Sequence, residues 1–115
     1  MRLCWLSGIA TLWMLSSAIA IADDVSVQRG GSLANKICSA CHVIGADQEF
    51  SPILRDYGPD FREIAGRKDL SAESLRAFLR TTHIRAHAPY KMPNLLLTDE
   101  QMDALVDYIL SLRAN

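Results

Sequence analysis

Residues 38–42 read Cys-Ser-Ala-Cys-His, which sets two thiols three residues apart with an imidazole directly after the second. In a helical stretch, positions i, i+3 and i+4 share one face, so both sulfurs and the ring point to the same side and suit one flat object. Cys4 is the only other cysteine of the 115-residue chain. A chain of this length fits one domain, whose core is marginal unless a disulfide, a metal or a bound cofactor stiffens it. What this cluster binds therefore constrains what the chain folds around.

The first 22 residues differ in kind from the rest. Arg2 is their only charge, an apolar run from Leu3 to Leu15 follows, and Ala20-Ile21-Ala22 precedes Asp23. This reads as a secretory leader, residues 1–22, cut before Asp23, with a cut after Ala20 as the near alternative. The rival is an uncleaved inner-membrane anchor, since Leu3 to Ala22 carries no charge and roughly 20 apolar residues can span a bilayer. Ser, Gly and Thr dilute the run and the A-x-A ending suits a peptidase, so the expectation is an exported, periplasmic domain of residues 23–115. Removing the leader removes Cys4, Trp5 and Trp13, leaving Cys38 and Cys41 with no odd thiol and no tryptophan.

Charge is unevenly placed in that domain. Residues 23–61 carry three basic and six acidic side chains, residues 62–91 seven and three, and residues 92–115 one and four. The balance does not indicate nucleic acid. The basic middle suggests a docking face for an acidic partner, beside the plainer reading of a solvated surface.

No repeat, low-complexity tract or strand-like alternation is present, and three segments have helical spacing, so the domain is expected to be all-α. The first helix runs from near Ser26 into the cluster, with Leu33, Ala34 and Ile37 facing inward; Gly30 and Gly31 weaken it and imply close approach of another helix. Ser71 caps a second helix with Leu75, Phe78 and Leu79 in a stripe. Thr98 and Gln101 form a capping box before Met102, Leu105, Val106, Ile109 and Leu110. A short turn at Asp60–Ala65, after Gly58 and Pro59, makes a fourth piece. The loops Val43–Gly58 and Thr81–Leu97 are long for a compact domain unless they wrap something.

Three chemistries compete for the cluster. A disulfide redox centre expects a βαβ setting that the chain lacks. Zinc could use Cys38 and Cys41 with His83 and His87, but 41 residues separate Cys41 from His83, against roughly 12 to 15 in zinc fingers, and His42 would have no role. Covalent haem uses all three residues: each thiol adds across a vinyl group and the histidine binds iron. A second axial ligand must then come from distant sequence. Met92 is the candidate, because Pro93 restricts it to extended conformations and stiffens its loop; His87, and after it His83, compete.

Taken in order, GGSLANKICSACH, GPDFREIAGR, KMPN and LTDEQMDALVDYILSLR resemble the class I c-type cytochromes, and within them short bacterial monohaem members. The resemblance covers about Arg29 to Arg113 and implies the cytochrome c fold, three to four helices wrapped around one covalent haem c. It further implies that the carbonyl of Pro59 holds the His42 ring, that Arg67 binds a haem propionate with Tyr90 or Arg80 helping, and that Gly30 meets the last helix on the turn of Tyr108. The chain departs from mitochondrial relatives in having Ala34 for an aromatic, no mature tryptophan, and 17 residues from His42 to Pro59, which implies a longer loop and a smaller helix contact.

The implied function is one-electron transfer between Fe(III) and Fe(II) with His42 and Met92 as axial ligands, between unnamed redox partner proteins. It involves no enzymatic step, no small-molecule substrate, and no membrane unless the leader stays. Ile37, Phe61, Ile64, Leu75, Phe78, Leu79, Leu95 and Leu105 are expected to line the haem, and Lys36, Arg85 and Lys91 to steer an acidic partner past the Cys38–Cys41 edge. A haem protein with an open axial position, peroxidase-like or gas-binding, follows if Met92 does not bind.

Overall fold

The computed structural model describes residues 17–54, 58–81, 83–84 and 91–114. Its elements are α1 (Ser17–Ile37), α2 (Phe61–Ala65), α3 (Ala72–Leu79), β1 (His83–Ile84), β2 (Lys91–Met92), α4 (Asp99–Ser111) and a closing 3₁₀ turn (Leu112–Ala114). The fold is all-α. Its only sheet among the described residues is a two-residue antiparallel ribbon that sets His83 opposite Met92 and Ile84 opposite Lys91.

The centre is the crossing of α1 and α4. A Cβ on Gly30 would run into the Ala104 carbonyl and stand 2.7 Å from the Tyr108 Cβ, so only a glycine lets the helices meet this closely. Ala34, one turn further on, is fully buried at the position where an aromatic would widen the contact. Across the crossing Ser26 Oγ donates to Asp107 Oδ2 at 2.6 Å, 81 positions away, and Arg29 pairs with Glu100 at 2.8 Å; the Tyr108 hydroxyl donates to the Ile44 carbonyl at 2.9 Å and ties α4 to the loop after the cysteines. Leu105, Val106 and Ile109 are the largest fully buried side chains; Phe61, Ala65, Leu75 and Leu79 from α2 and α3 and Cys38 and Ile44 join them in one cluster.

The caps follow the local sequence. Thr98 Oγ1 accepts from the Gln101 backbone N–H at 3.2 Å, and Gln101 Oε1 accepts from the Thr98 backbone at 3.0 Å. Ser71 and Ser74 make the same reciprocal pair on α3, and Asp60 accepts from the Arg62 N–H at 2.7 Å to start α2.

The first helix starts earlier than its sequence suggests, at Ser17 instead of near Ser26. Residues 17–25 read Ser-Ala-Ile-Ala-Ile-Ala-Asp-Asp-Val and hold no glycine or proline to stop a helix once Gln28 to Ile37 have nucleated it. Among the described residues no helix is long and apolar enough to cross a membrane.

Candidate functional site

α1 ends at Ile37, but its hydrogen bonding carries on through the cysteines. The Cys38 N–H donates to the Ala34 carbonyl at 2.8 Å, and the Cys38 carbonyl accepts from the N–H groups of Cys41 at 3.0 Å and His42 at 2.9 Å. The turn thus keeps near-helical spacing and holds two thiols and an imidazole on one short piece of backbone. Both thiols are free, Cys38 buried and Cys41 half-buried. Burial, reinforced by the neighbouring Cys41, pushes the Cys38 thiol up to about 12, so in the folded chain it stays protonated and a poor nucleophile at neutral pH.

His42 is buried and its Nδ1 lies 2.8 Å from the Pro59 carbonyl. A carbonyl only accepts, so Nδ1 carries the proton and Nε2 keeps the lone pair that can bind a metal. Two further bonds hold this arrangement: the Gly58 N–H donates to the Cys41 carbonyl at 2.7 Å and the Phe61 N–H to the Val43 carbonyl at 2.9 Å. The buried Phe61 ring tilts against the imidazole with centroids 5.3 Å apart. A Cβ on Gly58 would overlap the His42 ring itself.

Met92 comes from the other end of the domain. Its place on β2 is the extended conformation that Pro93 imposes. It is half-buried and packs against the cluster that contains Cys38. The structure therefore brings Cys38, Cys41, His42 and Pro59 together and seats Met92 against the same core.

Other expected members stand at the surface. Arg67 is exposed, with its guanidinium 3.9 Å from Glu63 one turn back, and Arg80 pairs with Asp99 at 3.0 Å. Ile37 and Phe78 are 41% and 44% exposed, unlike Phe61, Leu75, Leu79 and Leu105, which are buried. His87, Tyr90 and Arg85 lie outside the described residues. Sequence reasoning missed Gln48, whose side chain braces the Val43–Gly58 loop: Oε1 accepts from the Ile44 N–H at 2.8 Å and Nε2 donates to the Phe50 carbonyl at 2.7 Å. No motif marks that role.

The donor set fits a covalently attached haem. Two unpaired thiols three apart match two vinyl groups, and an imidazole fixed through Nδ1 offers Nε2 to iron, with a thioether available from distant sequence. Among the described residues no three His, Cys, Asp or Glu side chains group to hold a bare metal ion.

Comparison with known proteins agrees with this chemistry. A family model described as Cytochrome c matches residues 27–113. Cytochrome c-552 of Bradyrhizobium diazoefficiens (strain JCM 10833 / BCRC 13528 / IAM 13628 / NBRC 14792 / USDA 110) is 31% identical over 108 residues, covering 94% of this chain and 95% of its own. Cytochrome c oxidase subunit 2 of Bacillus sp. (strain PS3) is 32% identical over 101 residues, 81% of this chain but 28% of that longer protein. No solved structure matches significantly. With the cysteine and histidine turn, the helix crossing and the family match all falling on the same stretch of sequence, the chain belongs to the cytochrome c family.

Proposed function

We propose that this protein is a periplasmic one-electron carrier whose haem c is attached through Cys38 and Cys41 and ligated by His42 and Met92. A member of the cytochrome c family carries covalently bound haem c and serves electron transport with redox partner proteins. The observation that carries the finer reading is the bond from His42 Nδ1 to the Pro59 carbonyl at 2.8 Å, made beside two free thiols. It fixes the imidazole tautomer and raises the basicity of Nε2.

When bound, haem c supplies the one-electron iron couple. The chain's own residues then do three things. Pro59 and Phe61 hold the His42 ring in place, the buried apolar cluster excludes water, and Met92, a neutral soft donor on a strand stiffened by Pro93, favours the reduced metal and a relatively high potential. His42 and Met92 would both keep their hold on the group, so little would rearrange on electron transfer and no substrate bond would be broken. Arg67 enters this reading as a propionate partner only if it leaves Glu63.

The test is spectroscopic. The purified protein is expected to be red, to retain haem after acid extraction, and to show a thioether-to-iron charge-transfer band in the far red when oxidised, lost in M92A. Rapid carbon monoxide binding by the reduced wild type would overturn Met92 ligation and favour an open-site haem protein. Export is tested by amino-terminal sequencing, which is expected to begin at Asp23; a chain retaining Leu3 to Ala22 in the membrane fraction would show the anchored form.

A further inference from the structure

We propose that the stretch from Gly45 to Leu54, in the loop that follows His42, is the docking face for a redox partner, one that meets it with an apolar surface edged by basic side chains. This rests on the electron-carrier reading above and supplies the chemistry of the partner.

Phe50 and Ile53 stand 72% and 81% exposed on this loop. They are not there through slackness of the chain. Gln48 ties the loop to itself through Ile44 and Phe50, and to the cysteine turn by donating to the Ser39 carbonyl at 3.4 Å; the Leu54 N–H donates to the Ala40 carbonyl at 3.3 Å. Ser39 and Ala40 are the two residues between Cys38 and Cys41. The loop is therefore anchored on the turn that carries the haem attachment, and a partner resting on Phe50 and Ile53 sits beside the edge through which an electron leaves. A groove of about 760 Å³ runs along the loop, lined by Phe50, Ile53, Asn35 and Tyr108 among others, and by none of Cys38, Cys41, His42 and Met92. Redox encounters use small interfaces, so a contact of two large apolar side chains is on the right scale.

Charge selects the partner. From Ser39 to Leu54 the only charged side chains are Asp47 and Glu49, both exposed and both on this groove, which Arg62 also lines. Three arginines of the basic middle segment face acidic side chains of this chain. Arg76 pairs with Asp103 at 2.7 Å, Arg80 with Asp99 at 3.0 Å, and Arg67 lies 3.9 Å from Glu63. Lys36 lies on a separate groove with Arg29 and Glu100. Among the described residues, the cysteine turn is flanked by an apolar patch edged by Asp47 and Glu49, which attracts basic side chains. A second copy of the chain fits less well, because it would bring Asp47 and Glu49 against their own kind.

The experiment uses the haem-loaded protein, reduced with ascorbate and mixed in a stopped flow with two outer-sphere oxidants. Tris(1,10-phenanthroline)cobalt(III) is cationic with an apolar rim; hexacyanoferrate(III) is anionic and hydrophilic. In each reaction one electron passes from the reduced protein to the metal complex, giving cobalt(II) or hexacyanoferrate(II), and no proton moves. The cobalt reaction is expected to slow as salt is raised, and to slow roughly fivefold in D47N/E49Q and in F50S/I53S. Hexacyanoferrate(III) is expected to oxidise F50S/I53S at the wild-type rate and D47N/E49Q at that rate or faster. Wild-type cobalt rates in both variants would overturn the docking face while leaving the carrier reading intact. A protein that neither ascorbate nor hexacyanoferrate(III) converts would overturn both. A concentration-dependent dimer in sedimentation velocity, lost in F50S/I53S, would reassign the face to a second copy and overturn the partner.

Discussion

A methyl group at Gly58 would claim the space of the His42 ring, so that glycine sets how closely the loop carrying Pro59 can pass the imidazole. Gly58→Ala is expected to cost about 1 to 3 kcal/mol and to weaken the far-red band together with thermal stability, because the ring must leave the Pro59 carbonyl to make room. Tyr108 gives the site's surroundings a dependence on pH. Burial, helped by the charge of Asp47 and opposed by Arg62, raises its phenol above the ordinary tyrosine value. The folded state therefore prefers the neutral phenol that donates to Ile44, and this contribution is complete below about pH 10 and lost as pH climbs through the raised folded value. Thermal unfolding followed against pH should fall on that alkaline side, and Tyr108→Phe should flatten the fall while costing about 1 kcal/mol for the lost bond. The cysteine and histidine chemistry was legible in five letters of sequence because it is local. The hold of Pro59 on His42 came only through family likeness, since no spacing rule links residues 17 apart.

The helices were legible where their signals were contiguous. Both reciprocal caps lie within four residues of sequence: Thr98 with Gln101 formed as the sequence indicated, and Ser71 was legible as a cap although the return bond to Ser74 was not. Thr98→Ala is expected to lower stability by about 1 kcal/mol, read as a shift in the denaturant midpoint of the haem-loaded protein with the slope unchanged. Gly30 was legible as a demand for close approach, and α4 meets that demand through Ala104 and Tyr108. The start of α1 was not, because nothing in Ser17 to Val25 opposes a helix and the cue for a leader is composition rather than conformation. The ribbon at Met92 was equally hidden: two residues per strand are too few for alternation to register. The pairing of Arg76 and Arg80 with Asp103 and Asp99 lies between elements, and a tally of charge along the chain reads it as a basic face beside an acidic tail.

Across the whole molecule, one small buried cluster joins all four helices and includes Cys38, so the attachment turn is part of the core it helps to complete. The Cys38→Ala, Cys41→Ala double variant is therefore expected to release haem on acid extraction and to lose most of its helical circular dichroism on heating well below the wild type, since a core of this size is marginal alone. Retention of wild-type melting without covalent haem would show that the polypeptide suffices. The bond from Ser26 to Asp107 spans 81 positions and belongs to the crossing that organises everything else. A buckle placed at the two extremes of a strap cannot fasten until the strap is nearly finished. During synthesis the cysteine turn thus waits unshielded for its partner helix, and the thiol that the closed domain renders inert stays available for chemistry throughout that interval.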